Sequence, residues 1–358
     1  MINRKSLALA TLALLAALIL GGCSLSPSAS STSKIPDGGV WKSLNAGKTW
    51  TQTVALATAS GKPLNIASVV IRQMVFDPQD YNAIYLATES NGIFYTYDAG
   101  ASWRQMPQLN ISRIRAIAVD PKTKCTLYAI MESRLYKSAD CGRFWQSAYE
   151  HQKAGGYLVK LAISPTDSQM IFMADNEGNI LRSRNASASW ETVQRIKGGQ
   201  ALDLLIDAKD SKIIYVGTKS NGIYKSVDAG NSWTDLNESL KNYSGSKNYI
   251  KLILDPATTD GLILISQYGM LRSQDGGQSW TAVALLPAPK AAAIYTVAVN
   301  PKNSNEIYYA TATSLVKSID GGQTWSSAKL PAARVVSEIQ INPDEPLIVY
   351  LGTQAPIK

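Results

Sequence analysis

SIDGGQTW at 318–325 and SQDGGQSW at 273–280 differ at two positions, and five more copies of the same eight-residue pattern lie elsewhere in the chain. They are SLNAGKTW at 43–50, TYDAGASW at 96–103, SADCGRFW at 138–145, SRNASASW at 183–190 and SVDAGNSW at 226–233; seven of the eight tryptophans close a copy. Between the copies runs a second pattern, an apolar stretch into Asp-Pro followed by an aromatic, β-branched stretch. Its seven copies begin at MVFDP (74–78), IAVDP (117–121), LAISP (161–165), LLIDA (204–208), LILDP (252–256), VAVNP (297–301) and IQINP (339–343). Short apolar runs separated by turn residues read as β-hairpins.

Two alternating hairpins per period make a four-stranded antiparallel unit, A–B turning at Asp-Pro and C–D at the tryptophan motif. Residues 39–353 give seven units of about 45 residues, the period of propeller blades. The chain opens with a lone C–D hairpin (40–50) and closes with a lone A–B hairpin (335–353). Neither completes a sheet alone, but pairing the two completes a seventh blade and leaves no open edge. The expected fold is therefore all-β: a seven-bladed β-propeller of four-stranded antiparallel blades, closed by its N- and C-terminal hairpins, one domain at 39–358 acting as a monomer.

The motif S-x-D-x-G-x-[S/T]-W resembles the Asp-box, or BNR, repeat of sialidases, xyloglucan hydrolases, sortilin-type receptors and photosystem II stability/assembly factors. The resemblance implies fold more than activity, because the motif is a turn device. The carboxylate or amide of Asn45, Asp98, Asp140, Asn185, Asp228, Asp275 and Asp320 is expected to accept turn N–H groups. The glycine supplies a positive φ, and Trp50, Trp103, Trp145, Trp190, Trp233, Trp280 and Trp325 pack between sheets. The copy at 183–190, with Asn185 for Asp and Ser187 for Gly, is the most degenerate, so its blade is expected to be looser.

Before the repeats, Arg4 and Lys5 precede an apolar run from 7 to 20 and then Gly21, Gly22 and Cys23, the layout of a secretory signal and too short for a comfortable membrane span. Leu20-Gly21-Gly22-Cys23 resembles the bacterial lipobox, which implies a signal peptide at 1–22 and a lipidated Cys23. The Ser, Thr, Ala and Pro that follow make 23–38 a flexible tether. The expected location is the cell envelope, at an outer membrane or the outer face of the cytoplasmic membrane. Removing the signal leaves 33 basic and 27 acidic side chains, a net +6, scattered rather than massed, so nucleic acid is not an expected partner. Cys125 and Cys141 form an even pair in an exported chain, read either as a disulfide or as two small buried thiols. Cys125 is placed at the start of strand B and Cys141 in the following Asp-box turn, at one end of one sheet.

The A–B and C–D turns share one face of a propeller; the B–C loops and D–A crossovers share the other, where recognition is expected. The longest crossovers span 51–70, 146–157 and 234–249, the middle one holding Tyr149, Glu150, Lys153 and the single histidine, His151, whose plainer interpretation is an exposed loop residue. The position four before the Asp of each A strand reads Gln73, Ala116, Lys160, Asp203, Lys251, Thr296 and Glu338. On innermost strands this column is expected to line the channel mouth, with Arg72 and Arg115 further out. It either grips a polar partner segment or bridges adjacent blades, as Lys160 and Asp203 would.

Glycoside hydrolysis needs two carboxylates about 5 to 9.5 Å apart. Glu89, Glu132, Asp175, Glu177, Asp203 and Glu338 lie near the mouth, none in a recognisable catalytic context, with Arg72, Arg113 and Arg115 as the arginines a sialidase would use. The xyloglucan hydrolases resembled here use two propellers around a cleft. One histidine and no phosphate-binding loop point to a chain without metal or cofactor. The expectation is a protein- or peptide-binding platform, with a glycan-binding or glycan-cleaving propeller as the alternative.

Overall fold

The middle strands of each repeat unit carry the most apolar and β-branched sequence and are the most deeply buried. Ile214–Thr218, Leu262–Ser266 and Val349–Thr353 have no exposed residue, as expected of strands covered on both faces. The computed structural model describes residues 36–57, 64–286 and 292–354; Cys23, the signal at 1–22 and most of the tether lie outside them.

Thirty strands are present among the described residues. Six sheets follow the chain in order from innermost strand A to outermost strand D. The first comprises Ile71–Asp77, Asp80–Thr88, Ile93–Thr96 and Arg104–Gln105. The A strands of the next five blades are Ala116–Val119, Leu158–Ile163, Ala201–Ile206, Tyr249–Leu254 and Thr296–Asn300. The seventh blade mixes the two ends: Val336–Ile341 and Val349–Thr353 supply A and B, while Val40–Ser43 and Thr51–Gln52 supply C and D. Val40 pairs with Gly352 and Ser43 with Val349. Each A strand packs on the next, and Val336–Ile341 packs on Ile71–Asp77, so the ring of seven four-stranded blades is closed. Strand D is short and polar, as in the fully exposed Ser326–Lys329, which blunts each outer edge.

All seven Asp-box turns have one hydrogen-bond plan. The hydroxyl at position one accepts the N–H of position five, from Gly47 to Ser43 (2.8 Å) through Gly322 to Ser318 (2.8 Å). The Asp or Asn at position three accepts the N–H of position seven, as Asp228 does from Ser232 and Asn185 from Ser189, both at 2.8 Å. Positions four and five both take positive φ, and at 183–190 Ser187 adopts +77° where the other boxes use glycine. That turn retains the shared bonds.

A second device joins neighbouring blades. Lys or Arg precedes the box serine in six units, and Lys42, Lys137, Arg182, Lys225 and Lys317 each donate to the position-four carbonyl of the next blade's box, at 2.5–3.4 Å. Four of these ammonium groups also sit 4.9–5.4 Å over a strand-B tyrosine ring. The hydroxyls of those tyrosines, Tyr350, Tyr128, Tyr215 and Tyr308, donate to the same carbonyls. A good part of the positive charge is therefore spent on closing the ring.

Cys125 lies in the A–B turn, two residues before strand Leu127–Met131, and not in the strand; its φ of +63° is a turn conformation. Its carbonyl accepts the N–H of Cys141, and the two sulfurs are at disulfide-bonding distance. In the other blades the corresponding backbone bond joins pairs such as Asn82 and Ala99, so the cysteines occupy a site where two turns always meet.

Candidate functional site at the channel mouth

The inner strands surround a cavity of about 650 Å³ whose mouth is lined by Gln73, Lys160, Asp203, Lys251 and Glu338, with Arg72 and Arg115 further out and Val75, Leu205, Ile253 and Ala298 below. Two members of the expected column are not in this lining: Ala116 and Thr296 are buried. In five blades strand A slips by one residue just before the column position, between Ile71 and Gln73, Leu158 and Lys160, Ala201 and Asp203, Tyr249 and Lys251, and Val336 and Glu338. The strands bearing Ala116 and Thr296 begin at those residues, and just before them the N–H groups of Arg115 and Tyr295 bond to the carbonyls of Ile130 and Ala310, the partners of Ala116 and Thr296. A bulge re-aims the side chain that follows it, and here it turns five polar groups into the channel.

The ring members are tied together. Lys160 lies 3.5 Å from Asp203; Lys251 lies 3.5 Å from Glu338, two blades away, and donates to Thr296 at 3.2 Å. Asp203 also accepts the Tyr249 hydroxyl (2.6 Å) and the Leu252 N–H (3.2 Å). Burial first, and then the adjacent Asp203 carboxylate, push the Tyr249 hydroxyl well above its ordinary range, so it stays a donor. Gln73 accepts the N–H of Ile117 in the next blade (2.9 Å).

The other candidate carboxylates are also engaged. Glu89 pairs with Arg72 and with Arg113 (3.1 Å), and Glu132 with Arg115 (2.8 Å), whose guanidinium stacks 4.1 Å over Tyr157. Glu177 pairs with Lys153 and Arg195, Glu150 with Arg134, Glu238 with Lys241, and Asp37 with Arg334. The arginines expected to gather for an acidic substrate are thus divided between Glu89 and Glu132.

His151 departs from its plainer interpretation. Its side chain is only 8% exposed, with Nε2 3.2 Å from Asp175 and Nδ1 accepting the Lys153 N–H. Because Nδ1 accepts, Nε2 carries the proton and donates to Asp175, itself held by the N–H groups of Glu177 and Asn179. Tyr149 and Glu150 belong to strand Gln146–Glu150, which shortens this crossover to 151–157. The crossover at 51–70 contributes a small hairpin of its own, Ala55–Leu56 with Leu64–Asn65. Sequence reasoning missed a second cavity on this face, about 600 Å³ and mainly apolar, lined by Tyr249, Ile250, Leu285 and Ile294 with Lys219 at its rim.

The opposite face is acidic by construction. The Ser232 hydroxyl and N–H lower Asp228 to about 2, and those of Thr324 do the same for Asp320. A folded value below the ordinary 3.8 means stability that is present above about pH 4 and lost as the pH falls towards 2. Asn45 and Asn185 make the same turn bonds without titrating. Replacing Asp228 and Asp320 by Asn should therefore flatten the fall in Tm between pH 4 and 2. An unchanged acid limb would show that the boxes do not set it.

The family model described as Sortilin-Vps10 (sortilin, neurotensin receptor 3) matches residues 38–180, and that of the photosynthesis system II assembly factor YCF48 matches residues 183–349. No curated protein matches the chain. Among solved structures it is similar to the GH74 xyloglucanase from Xanthomonas campestris, at 17% identity and a TM-score of 0.64, over 80% of this chain and 51% of that one. It is also similar to YCF48 bound to D1 peptide (18% identity, TM-score 0.61, 84% and 96% of the two chains) and to YCF48 from Cyanidioschyzon merolae (16%, 0.61, 80% and 95%). The chain thus spans about half the length of the xyloglucanase and nearly all of each YCF48 chain.

Proposed function

We propose that this Asp-box, BNR-type β-propeller is an extracytoplasmic binding platform, tethered through a lipidated Cys23, that holds a polar segment of a partner protein at its channel mouth. The observation that carries this is the bulge-directed ring of Gln73, Lys160, Asp203, Lys251 and Glu338 over an apolar channel. It offers donors and acceptors of both signs to an extended peptide, while each carboxylate near the mouth is already ion-paired or hydrogen-bonded to a basic group. A retaining or inverting glycosidase needs one acid free to protonate a leaving group and a second carboxylate across the sugar, which this arrangement does not favour. A YCF48 chain of similar extent has been solved bound to a peptide, which agrees with a peptide as ligand. The Cys125–Cys141 bond fits an oxidising compartment.

The likeness to a xyloglucanase supports the alternative, a glycan ligand at the same mouth. One experiment separates the two: crosslinking capture from native membranes with the wild-type chain and with Lys160→Ala, Lys251→Ala and Arg115→Ala, beside a panel of glycans. A protein partner captured by wild type and lost in these variants is the expected result. Cleavage of a glycan that disappears in Asp203→Asn or Glu338→Gln would replace the platform with an enzyme.

A further inference from the structure

The two faces of the ring differ in how their charges are used. On the crossover face most carboxylates are matched by a basic side chain, Glu89, Glu132, Asp203 and Glu338 around the mouth and Glu177 and Glu238 among those at the rim, while Asp235 is held by the N–H of Asn237. Lys197, Lys219 and Lys247 are left over, exposed and without an ion pair among the described residues. They come from consecutive connections: Asn221, beside Lys219, donates to the carbonyl of Lys197 (2.6 Å), and Lys219 and Asn248 line one cavity rim. Lys329, at the end of its strand, is a further exposed cation on this face. On the turn face the balance is reversed, since the box aspartates are satisfied by neutral hydroxyls and N–H groups and keep their charge.

Exposed apolar side chains do not distinguish the faces, for Ile111, Leu64 and Ile250 on one are answered by Leu44, Val227 and Ile319 on the other. Charge does, and so does chain entry. Residues 36–39 lead into Val40 at the crossover end of its strand, where Gly39 accepts the N–H of Thr353 and Asp37 that of Ala333.

We propose that the crossover face, through Lys197, Lys219 and Lys247, rests on an anionic lipid bilayer. Each lysine near such a surface strengthens binding by about fivefold, with attraction confined to a Debye length. The channel mouth then opens toward the membrane. The lysines invoked lie outside the channel ring, so this proposal and the peptide-binding one can fail independently.

The test uses residues 36–358, which contain the whole closed ring and no lipid, with vesicles of phosphatidylcholine alone or with phosphatidylglycerol. Cosedimentation with the anionic vesicles only, weakening as salt rises, is expected. A Lys197→Glu/Lys219→Glu/Lys247→Glu variant should lose at least about tenfold in partitioning. The same charge change on the turn face, Lys48→Glu/Lys122→Glu/Lys212→Glu, should leave it within about twofold, both variants melting as wild type does. Equal losses in the two variants, or equal binding to neutral and anionic vesicles, would overturn the proposal. So would a propeller that binds neither vesicle.

Discussion

Trp103→Ala should cost about 4 kcal/mol, the loss expected for a large aromatic in a well-packed core, and more than the same change at any other box tryptophan. Seven tryptophans share one motif, yet their surroundings differ. Trp103 is fully buried among Val40, Val54, Ile66 and Tyr350, across the seam where the last blade meets the first. Its Nε1 donates to Thr53 (2.8 Å), and its backbone bonds to Ala55 and Ala57 of the extra hairpin. Trp190 is only partly buried, and its Nε1 has no partner. Urea unfolding of the two alanine variants provides the comparison. If Trp103→Ala is no worse than Trp190→Ala, the seam is not held by this residue and the hairpin is ornamental to stability.

That inequality illustrates which features the sequence could carry. The repeat count, strand pairing and closure followed from local patterns, because turn chemistry and apolar periodicity act within a few residues of one another. The box bonds were foreseeable for the same reason. The column at the channel mouth was foreseeable only in part: five of its seven positions line the cavity, whereas Ala116 and Thr296 are buried. Thr296 is buried where counting predicted a mouth residue, its hydroxyl accepting from Lys251. His151 was singled out in its crossover, but its burial against Asp175 was not legible, because that partner is 24 residues away on the next blade. The cations before the box serines were visible as a repeated Lys-Ser or Arg-Ser. Their acceptors, however, are carbonyls of another blade, and no spacing within one repeat points to them.

Asp203→Ala should destabilise the propeller by about 2–4 kcal/mol, whereas Lys160→Ala should change stability by less than about 1 kcal/mol, although the two form one ion pair. The asymmetry comes from what each removal leaves behind. Lys160 is about one-third exposed, so the pair's Coulomb term is screened and its loss resembles that of a surface salt bridge. Asp203 is also the acceptor for the buried Tyr249 hydroxyl and for the Leu252 N–H, and an unpartnered buried donor costs about 1–3 kcal/mol. Asp203→Asn keeps one acceptor oxygen and should fall between the two. Denaturation midpoints of the three variants measure this directly. Equal losses for Asp203→Ala and Lys160→Ala would mean that the carboxylate does not brace the blades bearing it and Tyr249. The ring would then be free to serve a ligand with both charges. With the predicted inequality, Asp203 belongs to the frame and Lys160 is the member of the pair able to turn toward a partner, so binding should respond to lysine variants that leave the fold intact.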